Sequence, residues 1–234
     1  MRTFWRTPTV PFDPRLLRDV GAISLAVGFV GISFGAIAVA SGVPWWAVIA
    51  MSTLVFAGGS QFLAVGLLAA GSPIAAILGG LLLNARHLPF GLAVADALAG
   101  SWARRLVGAH LLIDESVAFA MATDSPPRRR AAYWLTGGTL FGFWQVGTVA
   151  GLLIGAAVGD PARYGLDAAF PAALLALLLP RLRDGAGFRV GVVGAVVAVA
   201  ATFVVPSGLP VLLGLVGLLA AGRTRPPAVL NPVA

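Results

Sequence analysis

From residue 20 onward the chain is a succession of apolar runs separated by short polar or Pro-Gly breaks. Eight runs can be drawn, at about 20–41, 45–70, 74–99, 106–123, 132–158, 166–180, 188–205 and 209–221. A membrane helix needs ~20 apolar residues to cross ~30 Å of hydrocarbon, and the sixth and eighth runs are short for that. The pattern predicts an all-α, polytopic helical membrane protein of about seven or eight transmembrane helices, some of them broken or re-entrant.

Composition agrees. Of 234 residues, 59% are hydrophobic and 11% charged, against roughly 25% charged in soluble domains. The chain has no Cys, which excludes disulfides and thiolate chemistry. Its net charge of +7 comes entirely from Arg in short clusters between apolar runs. That distribution reads as positive-inside loops, not as a nucleic-acid surface. The run from Val20 to Ala40 follows four Arg and ends Ala-Val-Ala like a signal-peptide cleavage site, but it is long for one and more spans follow at once. It is expected to be an uncleaved first helix. Residues 1–19 then form a cytoplasmic segment, 20–221 a single transmembrane domain with a hinge near 124–131 (Ser125-Pro126-Pro127), and 222–234 a tail. If all eight runs cross, one side receives most of the Arg, the other receives Arg104, Arg105 and Arg163, and Arg86 stays in the membrane. Both termini are then cytoplasmic. Half-helices or a re-entrant fourth run would restore a count of seven.

Three stretches interrupt the apolar runs with polar chemistry. In Gly79–Gly91, GGLLLNARHLPFG, a helix would put Gly80, Asn84, His87 and Gly91 on one stripe with Arg86 elsewhere. Pro89 removes a backbone donor and predicts a kink near Arg86. Freed backbone at membrane depth is tolerated only inside protein or beside a water-filled cavity. The plain alternative is that Arg86 snorkels to an interface while Asn84 and His87 lock helix contacts. The second run carries Gly58, Gly59, Ser60 and Gln61 at its centre. A break there would put half-helix termini, with free N–H groups, near the midplane. Close packing of small residues is the competing account. In the fourth run Asp114 and Glu115 lie mid-segment, with His110 and Asp114 spaced to share a helical face. Intramembrane carboxylates point to proton or cation coupling, and an interfacial or re-entrant helix accounts for them equally. Asp96 is expected to pair with Arg86 or to sit at the membrane edge, and Asp124 and Asp167 to end helices.

Three motifs in order, Gly28–Gly35, Phe56–Phe62 and Leu83–His87, with Asp114-Glu115 and Gly165–Pro171 beyond them, resemble the AzlC family, the large subunit of bacterial branched-chain amino-acid exporters. The likeness runs from about residue 15 to 220. Phe29-Val30 stands where that family usually carries a Pro-Phe pair, which bears on whether the first helix is broken. The resemblance implies export of branched-chain or related hydrophobic amino acids across the bacterial cell membrane, with a small AzlD-type membrane subunit as partner.

The function expected is therefore a permease subunit, and because no nucleotide-binding fingerprint occurs and the chain lacks Lys, its energy comes from an ion gradient or another subunit; it is expected to be secondary-active and proton-coupled. Gly58, Gly59, Ser60, Gln61, Asn84, Arg86 and His87 are its candidate substrate residues. Arg86 suits bidentate capture of a carboxylate. His87, Asp114 and Glu115 are the candidate proton carriers, His being the side chain that ordinarily titrates near neutral pH. No cofactor and no metal are expected. One rival is an intramembrane serine hydrolase using Ser60 with His87 or His110, which lacks the GxSxG elbow. Another is an assembly subunit with no substrate path of its own.

Overall fold

The computed structural model describes residues 13–123, 125–158, 182–205 and 209–221, with positions 175, 178 and 179. Arg2, Arg6, Asp124, Arg163, the Gly165–Pro171 motif, the tail and nearly all of the sixth apolar run lie outside the described residues. The chain divides into two compact units, residues 1–171 and 172–234. The elements found in both are helical.

The first unit is built on two long helices, α1 (Pro14–Ala40) and α8 (Pro126–Val158). Asp13 starts α1 by accepting the Arg15 N–H at 2.9 Å, and Pro14 fills a first-turn position that needs no donor. The helix runs unbroken through Phe29-Val30. A seam of small residues joins α1 to α8. Ser24 donates to Thr139 at 3.3 Å, and a Cβ on Gly31 would lie 2.9 Å from the Trp144 carbonyl oxygen. A Cβ on Gly35 would overlap the Thr148 carbonyl, and one on Gly155 would crowd Ala36. Gly147, Gly151 and Gly155 recur every fourth residue, so one edge of α8 has no side chains and the backbones touch. Between apolar helices in lipid, such close approach is what makes association favourable. Contact partners rise in number together along the two helices, from 24 with 139 to 36 with 155, so α1 and α8 are parallel. Their N-termini define one end of the unit, here the near end.

The chain between them forms two hairpins and one passage. From the far end, α2 (Trp45–Val55) descends beside α8, where Ser52 donates to the Gln145 side chain at 3.0 Å and receives the Gln145 amide on its carbonyl at 3.0 Å. It stops at Phe56, whose φ of +26° is left-handed. The chain reverses, and α3 (Gly58–Ala69) returns toward the far end. Phe62 meets Phe34 edge-on at 5.5 Å, and Phe34 stacks on Trp144. Next, α4 (Pro73–Asn84) runs back antiparallel to α3, with Gly79 against Leu63 and Leu83 against Gly59. After a break at Ala85-Arg86 the descent continues through α5 (His87–Ala93) to the near end, where the Trp134 indole donates to the Ala97 carbonyl at 3.3 Å.

The second hairpin enters from that near end. In α6 (Trp102–His110), Arg104 shares a cleft with Arg130, Gly108 takes the Tyr133 hydroxyl at 2.7 Å, and His110 reaches the Phe141 ring. The chain turns at Leu111–Ile113, and α7 (Asp114–Met121) goes back until the Thr123 carbonyl meets Arg129 at 3.5 Å. Among the described residues, the first unit thus has three through-going passages, α1, α4–α5 and α8. Among those same residues, three stretches are long and apolar enough to cross a membrane, Pro14–Ala40, Pro73–Ala93 and Pro126–Ala157, and the passages match them.

The fold bears on two of the open readings. Arg104 and Arg105 share the near end with Arg128 to Arg130, because the fourth run folds into the hairpin α6–α7 and not into one continuous helix. Asp96 pairs with Arg129 at 3.3 Å, and Arg130 donates to its carbonyl at 3.0 Å. Arg86 pairs with Asp114 instead.

In the second unit, α9 (Gly185–Ala201) is capped by Asp184, which accepts the Gly187 N–H at 3.2 Å. It packs through Gly194 against Gly214 and Gly217 of a 3-10 helix (Gly214–Ala221) that continues the short α10 (Leu209–Leu213).

Candidate functional site

Three backbone interruptions meet in the middle of the first unit. At the first hairpin tip, Phe56 is buried and its ring lies 5.1 Å from Phe141 and 6.2 Å from His110. The two tips therefore face each other across one aromatic contact. Between them lies the break in the through-going helix, and Arg86 projects from it. Its guanidinium holds Asp114 of the second tip at 2.8 Å, and it lies 3.9 Å from where a Cβ on Gly59 of the first tip would be. His87 Nε2 stands 3.9 Å from the other oxygen of Asp114.

Local sequence explains each piece. Gly58 and Gly59 open α3 with no side chain capping its first turn, so the free N–H groups of its N-terminus face the centre. The Gln61 side chain folds back to accept the Ala57 N–H at 3.3 Å, and Ser60 donates to the Ala57 carbonyl at 2.9 Å. That satisfies the reversal itself. The second tip is held by Ser116, whose hydroxyl accepts the Ile113 N–H at 3.0 Å and lies 2.9 Å from the carbonyls of Leu111 and Ile113. Asp114 and Glu115 occupy the first turn of α7, where negative charge is favoured by the helix dipole.

The candidate substrate residues fall on two connected faces. Arg86, His87, Gly59 and Asp114 surround the ion pair. Ser60, Gln61 and Asn84 line a cleft of about 370 Å³ between the first hairpin and α4, whose other walls are apolar, among them Met51, Ala64, Ile77 and Gly80. Gln61 Nε2 and Asn84 Oδ1 are buried and make no hydrogen bond, and the same holds for Asp114 Oδ1. Gly58 faces the Trp144 ring. His110 and Asp114 do not share a helical face, because the turn at Leu111–Ile113 separates them. The hydrolase pairing finds no geometric support, since Ser60 spends its proton on Ala57, His87 turns to Asp114 and His110 packs edge-on against Phe141 and tilted against Phe56.

The left-handed Phe56 and the Ser52–Gln145–Thr148 lock beside the first tip are not among the expected site residues. The signal for the lock was present, since a Gln inside a Gly-rich apolar helix needs a partner. Phe56 gave none, because nothing marks a left-handed Phe.

Opposed half-helix hairpins, a broken helix between them and an ion pair where they meet define a polytopic helical membrane protein with a polar centre. Residues 22–158 match the AzlC protein family model, and the chain belongs to that family. It is 29% identical over 157 residues to the branched-chain amino acid transport protein AzlC of Bacillus subtilis strain 168. The alignment covers 64% of this chain and 60% of that protein, so the chain spans about three-fifths of its relative's length. No solved structure matches.

Proposed function

We propose that this chain is the permease subunit of a secondary-active exporter of branched-chain or related hydrophobic amino acids. The observation that carries the reading is the convergence of three interrupted helices on Arg86, at a depth where irregular backbone needs a protein-lined or watered cavity. A substrate carboxylate is received by Arg86 and by the uncapped N-terminus of α3 at Gly58, Gly59 and Ser60. Gln61 and Asn84 offer one donor and one acceptor beside it, and the apolar cleft takes the aliphatic side chain. His87, Asp114 and Glu115 are the groups available to couple a proton. The family and the name of the Bacillus subtilis relative support transport over hydrolysis.

A small AzlD-type membrane subunit is the proposed partner, and lipid surrounds the outward Leu, Val and Ile side chains. The near end, with Arg15, Arg18, Arg104, Arg105 and Arg128 to Arg130, faces the cytoplasm of a bacterial cell by the positive-inside rule. The test is export of a labelled amino-acid panel, fed to cells as dipeptides, with and without Arg86→Ala. Loss of export of every substrate by about tenfold or more is expected, the scale of a lost charged hydrogen bond. Full export by the variant would remove Arg86 from the substrate path.

A further inference from the structure

We infer that the Arg86–Asp114 ion pair stands in for the substrate, and that Asp114 is the residue that selects zwitterions by taking the substrate ammonium. This rests on the permease reading above. The pair joins the break in the α4–α5 passage to the tip of the second hairpin. It is partly open, with 42% of the Arg86 side chain and 36% of Asp114 exposed. Asp114 engages Arg86 through Oδ2 alone, at 2.8 Å, while its buried Oδ1 accepts no hydrogen bond.

Charge accounting then decides what can enter. Separating Arg86 from Asp114 leaves two charges without partners, and that costs free energy, moderated by their partial exposure, unless something replaces both. An α-amino acid carries its carboxylate and ammonium one carbon apart. Inserted between the two side chains, it gives the order guanidinium, carboxylate, ammonium, carboxylate, with no change in net charge. A hydroxy acid of the same shape satisfies Arg86 but leaves Asp114 unpaired and adds one negative charge. An amino ester satisfies Asp114 and leaves Arg86 unpaired. Specificity for zwitterions thus arises from the penalty on the wrong ligand as much as from attraction to the right one. With Asp114 engaged by the ammonium, the coupling proton falls to His87 or Glu115.

The experiment compares leucine, leucine methyl ester and 2-hydroxy-4-methylpentanoate as competitors of labelled leucine transport. It uses membrane vesicles containing the full chain and its proposed small subunit. Wild type should prefer leucine to both analogues by about tenfold or more, the scale of a lost charged hydrogen bond. Asp114→Asn should lose its preference over the hydroxy acid while still rejecting the ester, and Asp114→Glu should keep both preferences. A purely structural ion pair would instead weaken all three ligands together. If Asp114→Asn proves inactive, ligand-induced thermal stabilisation of the purified variant reads the same ratios. An Asp114→Asn protein that still discriminates leucine from the hydroxy acid, or loses all three equally, overturns the assignment and leaves the permease reading intact. A wild type that transports and binds no amino acid overturns both.

Discussion

Ser116 shows how a single buried hydroxyl fixes a turn between two half-helices. The reversal at Leu111–Ile113 exposes backbone groups that a continuous helix would pair internally, and Ser116 is the side chain that meets them. It is fully buried, so no water replaces it. Ser116→Ala leaves the Ile113 N–H and a neighbouring carbonyl unsatisfied, at a cost of about 1–3 kcal/mol. A fall of several degrees in the melting temperature of the detergent-purified protein is expected, and an unchanged melt would remove Ser116 from this role. Residue identity made some of the centre legible and not the rest. Arg86 and the Gly58-Gly59 pair stood out because each is expensive in an apolar helix. The partnership of Arg86 with Asp114, not Asp96, was hidden, since 28 positions separate them and only the fold of the second hairpin brings them together.

At the scale of elements, the legible breaks were those with a chemical mark. The reversal after α2 falls at Phe56-Ala57, just before the glycine pair, and the break in the passage falls at Ala85-Arg86, before Pro89. In both cases the marked residues open the new half-helix, where glycine and early proline cost least. The turn between α6 and α7 is Leu111-Leu112-Ile113, an apolar run without Gly or Pro, so its only mark in the sequence is the pair of carboxylates, Asp114 and Glu115, that follows it. The seam between α1 and α8 gives a paired prediction. Any side chain at Gly151 meets the Ile32 carbonyl and must push the two helices apart. Gly142 lies on the same helix with nothing within 4 Å of its added Cβ. Gly151→Ala should therefore abolish the monodisperse peak in detergent size-exclusion, while Gly142→Ala should leave it unchanged or raise the melting temperature, Ala being favoured over Gly in a helix by about 1 kcal/mol. Equal behaviour of the two variants would mean that the seam does not hold the unit together.

For the molecule as a whole, the parallel pairing of α1 with α8 constrains topology more firmly than hydropathy does. Two parallel helices start from the same end, so the residues between them must make an odd number of crossings. One passage and two hairpins meet that requirement, and they gather Arg15, Arg18, Arg104, Arg105 and Arg128 to Arg130 at the near end. Counting every apolar run as a crossing reaches the same placement for Arg128 to Arg130 but puts Arg104 and Arg105 opposite. Hydropathy cannot distinguish the two, because a hairpin of half-helices and a full span contain similar apolar runs. The absence of Cys from the chain makes the distinction directly measurable with single introduced thiols and a membrane-impermeant maleimide. Ala103→Cys and Arg128→Cys should label from one face of oriented vesicles, the cytoplasmic one, and Ser41→Cys from the other. Labelling of Ala103→Cys together with Ser41→Cys would make α6–α7 a true crossing. Asp114 would then lie within a span and not at the tip of a hairpin, and the meeting of two opposed tips at Arg86 would have to be abandoned.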